Sequence, residues 1–165
     1  KYKLTEKNMN ILEIGSFEGL STVFFLTNLK NSNIQCVDPF LSFAENKDKD
    51  FNQVFENFKN NTKKFQTRVR LSKTTSDDYF KKNLNVKFDL IYIDGNHHAD
   101  NVLRDARNSF KLLNRGGFIV FDDFLWGYYN ETNLNPIGGV KQFLFENFFG
   151  LRIVSIGYQL VIQKK

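Results

Sequence analysis

The fold is decided by the stretch Asn10–Ser21, which reads NILEIGSFEGLS. Its first five residues, Asn10–Ile14, form a short apolar run that is typical of a buried β-strand. Gly15 and Gly19 follow, and glycine lets the backbone turn sharply and approach a ligand that a β-carbon would exclude. A strand, a glycine turn and a helix begin a βαβ unit in which a ligand lies beside the helix N-terminus. A tight turn that binds nothing has the same pattern.

Further apolar runs bounded by turn residues extend this pattern along the chain. The predicted strands are Ile34–Val37, Val69–Leu71, Phe88–Ile93, Phe118–Phe121 and a closing hairpin of Arg152–Ile156 and Gln159–Gln163. Helical periodicity predicts apolar faces from Phe51 to Phe65, from Val102 to Leu113 before a glycine cap at 114–117, and from Val140 to Phe148. Alternating strands and helices indicate an α/β fold with a doubly wound, mainly parallel sheet and an antiparallel C-terminal edge.

Length and composition limit the possible classes of protein. The 165 residues predict one domain over 1–165, and the start at Lys1 without Met leads us to expect a segment of a longer chain. The net charge of +5 hints at an anionic partner without establishing one. The lone cysteine, Cys36, excludes a disulfide framework and a multi-cysteine zinc site. No apolar run approaches the length of a membrane span, and we expect a cytoplasmic protein.

An acidic residue stands where a cofactor's ribose would lie. Asp38 follows the second predicted strand about twenty residues after the glycine turn, where a carboxylate can accept hydrogen bonds from a ribose diol. A helix N-cap or a solvated loop position would also suit it. Together the turn and Asp38 indicate an adenosine-type cofactor, either NAD or S-adenosylmethionine. Phe17 occupies the position of the middle glycine in the dinucleotide fingerprint, so a pyrophosphate would meet its side chain.

Three carboxylates are predicted to meet at the carboxyl edge of the sheet. Asp94 ends the strand Phe88–Ile93, while Asp122 and Asp123 end the strand Phe118–Phe121. Crowded carboxylates repel each other unless a cation, a proton or a basic group offsets them, and a hard divalent ion such as Mg²⁺ is the simplest compensation. In the alternative without a metal ion, one aspartate caps the segment that follows it and another pairs with a lysine.

Two adjacent histidines, His97 and His98, stand three and four residues after Asp94. A histidine here could take a proton from a substrate hydroxyl, because its ordinary pKa lies near working pH. A position in a surface loop without a catalytic role is the alternative. Two adjacent side chains do not easily point into one site, and we expect His97 instead of His98 to be the base.

The order and spacing of these segments resemble the class I S-adenosylmethionine-dependent methyltransferases. Within that class the chain is similar to small metal-dependent O-methyltransferases of the catechol and sugar type. The resemblance rests on Ile11–Ser21, Val37–Phe40, Phe88–His97, Leu112–Gly117 leading into Asp122 and Asp123, Gly139 with Val140, and the closing hairpin.

The resemblance implies a seven-stranded sheet, two ligand sets and a pair of catalytic residues. The implied cofactor-binding residues are Glu13, Gly15, Ser16, Phe17, Gly19, Ser21, Asp38, Ser76, Asp77 and Asp94. The implied ligands of Mg²⁺ or another divalent ion are Asp94, Asp122 and Asp123, the last of which is often Asn in the family. The implied catalytic residues are His97 and Asp94, although catechol-type members usually carry Lys near the position of His97.

The implied function is methyl transfer to a hydroxyl of a small molecule or a sugar. The expected walls of the acceptor site are Phe40–Phe43 and the loop Leu125–Ile137 with Trp126, Tyr128 and Tyr129. Family members carry helices ahead of the first strand, and this chain has about nine residues there. A further domain or a second copy of the chain is therefore an expected partner on that side.

Three other functions remain open. They are an NAD-dependent oxidoreductase, a catalytically weak methyltransferase-like binding module within a larger protein, and a methyltransferase acting on nucleic acid. A methyltransferase acting on nucleic acid would bind it through a strip of basic residues. The favoured interpretation of this strip is that it is simply the solvated face of a helix that runs into a strand. The strip consists of Lys59, Lys63, Lys64, Arg68 and Arg70.

Overall fold

The computed structural model describes residues 4–42 and 47–165, and within them seven strands form one sheet. The strands are β1 (Asn10–Ile14), β2 (Asn33–Val37), β3 (Val69–Ser72), β4 (Phe88–Ile93), β5 (Leu113–Phe121), β6 (Leu151–Ile156) and β7 (Leu160–Lys164). Their order is β3-β2-β1-β4-β5-β7-β6. Only β7 runs against its neighbours, pairing antiparallel with both β5 and β6 among the described strands. The predicted fold, including the inserted antiparallel strand, is confirmed.

Helices cover both faces of the sheet, as a doubly wound fold requires. They are α1 (Leu20–Asn28), α2 (Phe51–Thr62), α3 (Ser76–Lys82), α4 (Ala99–Leu112) and α5 (Pro136–Glu146). One hydrophobic cluster packs α1 and α2 against the sheet, and a second packs α3, α4 and α5 against it. Of the described helices, none combines the length and the apolar character that crossing a membrane requires.

Three local predictions differ from the structure. β5 begins at Leu113, so that 114–117 continues the chain as strand and does not form a glycine cap after α4. The extra residues are absorbed by a register shift against β4 and by Gly116, whose φ is 78°. Phe148 is wrongly placed on a buried helix face: α5 ends at Glu146, and Phe148 is 69% exposed in the short turn that follows. The seven-residue α3, capped by Thr75, is too short to show helical periodicity in the sequence.

The packing of α5 on the start of α4 depends on Gly139. A β-carbon at this position would lie 2.2 Å from the carbonyl oxygen of Ala99. Real β-carbons do not approach backbone this closely, so the two helices would have to separate.

We therefore expect Gly139→Ala to lower the free energy of unfolding by about 3 kcal/mol or more, since the overlap is with backbone that cannot move alone. Urea unfolding followed by circular dichroism measures this loss. Gly127→Ala is the matched control, because a β-carbon at Gly127 would meet nothing within 4 Å. Equal unfolding midpoints for the two variants would show that the close approach is unimportant.

Candidate functional site

A cleft of about 400 Å³ opens at the carboxyl ends of β1, β2 and β4. Of the residues predicted to bind a cofactor, those that line the cleft are Gly15, Phe17, Asp38, Ser76, Asp77 and Asp94. The others lie behind it, at the end of β1, in the turn and at the start of α1; they are Glu13, Ser16, Gly19 and Ser21. The tertiary structure thus brings together residues that are spread over more than eighty positions of the chain.

Glu13 is fully buried beneath the glycine turn. Its Oε2 accepts hydrogen bonds from the hydroxyls of Ser16 (2.7 Å) and Thr22 (2.5 Å) and from the thiol of Cys36 (3.3 Å). Burial raises the pKa of the Glu13 carboxyl above its ordinary value. Oε1 is buried with no hydrogen-bond partner among the described residues. Glu13 therefore holds the turn and the first turn of α1 from beneath and does not line the cleft.

Asp38 joins the glycine turn to the loop after β2. Its Oδ2 accepts from the backbone N–H groups of Ser16 (2.8 Å) and Phe17 (2.9 Å), and its Oδ1 accepts from that of Phe40 (2.7 Å). It is not a helix cap, because Asp50 caps α2. A carboxylate offers about four acceptor sites, so capacity remains for a hydroxyl donor in the cleft.

The glycine turn brings the backbone of β1 against the end of β4. Gly15 has a φ of 83°, and a β-carbon there would lie 1.9 Å from the carbonyl oxygen of Asp94. Phe17 also adopts a positive φ, 45°, which is unfavourable for a side chain of this size. Its ring meets the edge of Phe51 with centroids 6.3 Å apart. A side chain held in a strained backbone thus stands where a dinucleotide-binding turn leaves space for phosphates.

Asp105 is a cleft residue that the sequence reasoning missed. It lies on the buried face of α4, only 4% exposed, and its carboxyl is hydrogen-bonded to the side chain of Ser76. Burial, with a contribution from the charge of Asp77, raises the pKa of Asp105 to about 7. The sequence did contain a signal for it: Asp105 is an acidic residue directly before Ala106, on the apolar face of the predicted helix.

Asp94 and His97 line the other end of the cleft, and Asp123 lies against His97. The Nε2 atom of His97 lies 3.2 Å from Oδ2 of Asp123 and 3.6 Å from Oδ1 of Asp94. Burial raises the pKa of Asp94 to about 6, whereas the hydrogen bond with His97 lowers the pKa of Asp123. One potential ligand atom from each of the three residues lies within 4.8 Å of the others. His98, by contrast, caps α4 and accepts from the N–H of Asp100 (3.4 Å).

Asp122 points to different partners. Its Oδ2 accepts from the hydroxyl of Tyr92 at 2.5 Å, and its Oδ1 accepts from the amide of Gln159 at 2.7 Å. The neighbouring Tyr158 hydrogen-bonds Asp123, which raises the pKa of the Tyr158 hydroxyl. Tyr158 and Gln159 belong to the turn between β6 and β7, and their contacts with the aspartates follow from the antiparallel insertion of β7 next to β5. No local pattern in the sequence indicated these contacts.

Aromatic side chains of the loop after β5 stand beside the two histidines. The ring of Trp126 lies 4.7 Å from that of His97 and stacks on Tyr128 at 5.5 Å, with an angle of 8° between the planes. Tyr129 meets His98 edge to face at 5.4 Å. The predicted acceptor wall of this loop therefore lies at the edge of the site. In the other predicted wall, Phe40 is buried, Leu41 lines the cleft and Phe43 lies outside the described residues.

We expect Asp105 to make the stability of the fold depend on pH. Its pKa is about 7 in the folded chain and 3.8 for an ordinary aspartate, so the folded state binds the proton more tightly. The free energy of unfolding should therefore fall as pH rises from about 4 to 7, by about 4 kcal/mol at most, and stay level above that range.

Thermal unfolding of Asp105→Asn between pH 4 and 8 tests this expectation. The variant should have a shallower slope than the parent, since Asp94 and Glu13, whose pKa values burial also raises, keep their contributions, and it should unfold at a higher temperature than the parent at pH 8. Asp100→Asn, which changes an exposed residue of the same helix, should keep the slope of the parent. A slope in Asp105→Asn as steep as that of the parent would show that Asp105 does not contribute to the pH dependence.

A family model described as a methyltransferase domain matches residues 12–124. An uncharacterized protein of Acanthamoeba polyphaga mimivirus is 32% identical over 124 residues, which are 71% of this chain and 52% of that protein. The chain thus spans about half the length of the curated relative that it matches.

Solved structures share the fold at low sequence identity. An O-methyltransferase of Streptomyces achromogenes involved in tomaymycin synthesis, solved with S-adenosylmethionine, is similar with a TM-score of 0.71 at 15% identity, over 94% of this chain and 73% of that one. A methyltransferase of the mycinamycin biosynthetic pathway, solved with Mg and S-adenosylhomocysteine, is similar with a TM-score of 0.70 at 14% identity, over 99% of this chain and 46% of that one. Together with the family match, this likeness shows that the chain belongs to the methyltransferase domain family and has the class I S-adenosylmethionine-dependent methyltransferase fold.

Proposed function

We propose that the chain transfers a methyl group from S-adenosylmethionine to a hydroxyl of a small molecule or a sugar. The acidic lining of the cleft carries this proposal: the carboxylates of Asp38, Asp77 and Asp94 line it, and Asp105, with a pKa of about 7, adds part of a charge. The guanidinium of Arg104 is bonded to Asp77 (3.3 Å) and to Asn101 (2.5 Å). Such a lining favours a cationic sulfonium cofactor without phosphates and disfavours NAD, whose two phosphates would be repelled.

The chain's own residues suit the parts of this cofactor. The spare acceptor capacity of Asp38 suits a ribose hydroxyl, and Ser76 and Asp77 would stand at the adenine edge. Asp94 and His97 line the opposite end of the cleft, where the methyl group would face the acceptor. Since the sulfonium methyl is already electrophilic, the protein needs mainly to align the acceptor oxygen with it.

We further propose that Asp94 and His97 act on the acceptor hydroxyl, whose proton must leave as the oxygen is methylated. Both side chains line the cleft, and the ring of Trp126, which stacks on Tyr128, stands beside His97 as part of an apolar wall for an acceptor ring. A divalent ion bound there would orient acceptor oxygens and lower the pKa of the hydroxyl.

Nucleic acid stays the less favoured acceptor. In the basic strip, the guanidinium of Arg68 donates to the carbonyls of Leu26 (2.8 Å) and Lys30 (2.9 Å), so it serves the end of α1. Lys59 is paired with Glu56 at 2.6 Å. These contacts support a structural and solvated role for the strip.

The expected covering domain or second copy stays a prediction. Leu20 and Phe24, which lie one turn apart on α1 beside the glycine turn, are 84% and 62% exposed. An apolar face of this kind, next to the cleft, is compatible with such a cover.

Calorimetric titration tests the cofactor. We expect S-adenosylhomocysteine to bind and NADH not to bind. Asp38→Ala should weaken the binding of S-adenosylhomocysteine by about tenfold or more, because the substitution removes both the ribose acceptor and the hydrogen bonds that hold the turn. The control variant Asp48→Ala, which changes an exposed turn residue, should bind S-adenosylhomocysteine like the parent. Binding of NADH in place of S-adenosylhomocysteine would instead support the oxidoreductase.

The role of His97 is tested by transfer of the tritiated methyl group of S-adenosylmethionine to a panel of catechols and sugar glycosides. His97→Ala should lower the rate by about a hundredfold or more while S-adenosylhomocysteine binds within about threefold of the parent. The matched control is His98→Asn, which keeps a good N-cap for α4 and should stay active. Cofactor binding without transfer to any compound of the panel would favour the binding module.

A further inference from the structure

We propose that a second cavity, at the edge of the sheet opposite the cofactor cleft, binds a small organic phosphate through Arg70 and the hydroxyl of Tyr79. This amino-edge cavity has a volume of about 340 Å³ and lies at the amino ends of β1, β2, β3 and β4. Its lining includes Asn33, Thr67 and Phe88, and it shares no residue with the cleft. The inference goes beyond the proposed function and does not depend on it.

The amino-edge cavity lies on the face of the sheet that α3 covers. Side chains alternate between the faces of a strand, and Val69 and Leu71 of β3 pack in the cluster of α1 and α2. Arg70, which stands between them, therefore lies on the opposite face and does not continue the basic face of α2 that carries Lys59. The seven-residue α3 ends at Lys82, and the cavity lies where the chain leaves this helix.

The charge of the amino-edge cavity is positive. Arg68 and Arg70 line it, and no aspartate or glutamate of the described residues does. The guanidinium of Arg68 already donates to backbone carbonyls, among them that of Leu26 at 2.8 Å. The carboxylate of Asp89 accepts from the N–H of Asn10 at 2.9 Å and lies outside the lining.

Arg70 is the group that can hold an anion. It is exposed, and it makes neither a hydrogen bond nor an ion pair with the described residues. A guanidinium presents a planar fork of N–H donors that matches two oxygens of a phosphate or a carboxylate. In a cavity without acidic residues, this fork favours an anionic ligand over a neutral one.

Tyr79 supplies a second donor from α3. Its side chain is only 4% exposed, and burial raises its pKa to about 12, so the hydroxyl keeps its proton and can donate. This hydroxyl has no hydrogen-bond partner among the described residues and is not sealed from solvent. Buried tyrosine hydroxyls usually find a partner, and the amino-edge cavity is where a partner of Tyr79 would lie.

The remaining lining selects the class of anion. The side chains of Asn33 and Thr67 have no hydrogen-bond partner among the described residues and offer further donors, while Val86 and Phe88 add apolar surface. A phosphate monoester carries nearly two negative charges and three acceptor oxygens, so it can use donors on both the strands and α3, whereas a carboxylate has two oxygens in one plane. The volume is typical of sites for small molecules, which leaves room for an organic part.

Calorimetric titration of the chain with uridine monophosphate and with glucose 6-phosphate tests the proposal. Excess S-adenosylhomocysteine keeps the ribose of uridine monophosphate out of the cofactor cleft, and glucose 6-phosphate contains no ribose. We expect at least one of the two probes to bind, and its parent without phosphate, uridine or glucose, to bind about tenfold or more weakly. Inorganic phosphate and succinate should also bind more weakly than that probe.

Two variants assign the binding to this cavity. Arg70→Ala should weaken the bound probe by about tenfold or more, and Tyr79→Phe by about threefold to tenfold. Both should keep the thermal midpoint of the parent, because neither group has a hydrogen-bond partner among the described residues. Lys141→Ala is the matched control, since it removes one positive charge from an exposed position of α5 and should bind the probe like the parent.

Four results would each overturn the proposal. They are binding of neither probe, an equal loss in Arg70→Ala and Lys141→Ala, and binding of inorganic phosphate or succinate as tight as that of the better probe. The fourth is an oligouridylate that binds more tightly than uridine monophosphate and loses this affinity in Arg70→Ala, which would assign the site to nucleic acid.

Discussion

The contact between Gly15 and the carbonyl oxygen of Asp94 is the constraint on which the site depends. Because only hydrogen fits between them, β1 turns away directly against the end of β4. The N–H of Asp94 donates to the carbonyl of Ile14 at 2.8 Å and closes the same contact. The glycine turn and the end of β4 that carries Asp94 therefore line one and the same cleft.

The cleft concentrates negative charge in a chain whose net charge is +5. Burial raises the pKa values of Glu13, Asp94 and Asp105, which means that folding holds these carboxyls in places where their charged forms are disfavoured. Two hydrophobic clusters on the faces of the sheet stabilise this arrangement. A bound cation, whether a sulfonium or a metal ion, would relieve part of the electrostatic cost.

Much of the architecture was predictable because its signals are local. Short apolar runs indicated β1, β2, β3 and β4 to within about two residues, since strands of a parallel sheet are buried on both faces. The failures have physical reasons as well. The start of β5 was predicted too late in the chain, because glycines within a strand resemble a helix cap. Phe148 was predicted to be buried, because helical periodicity does not show where a helix ends.

By itself the sequence determined the order of the strands and of the helices other than α3, the glycine turn and the identity of the carboxylates at the strand ends, since each depends on neighbours within a few residues. Only the tertiary structure decided which of these carboxylates lie together. Asp122 and Asp123 are adjacent in the chain, yet the first is held by Tyr92 and Gln159 and the second by His97. Asp105 enters the cleft from a helix, and the β6–β7 turn reaches the aspartates because β7 inserts beside β5. Contacts across such distances are set by sheet topology and packing, which no local pattern encodes.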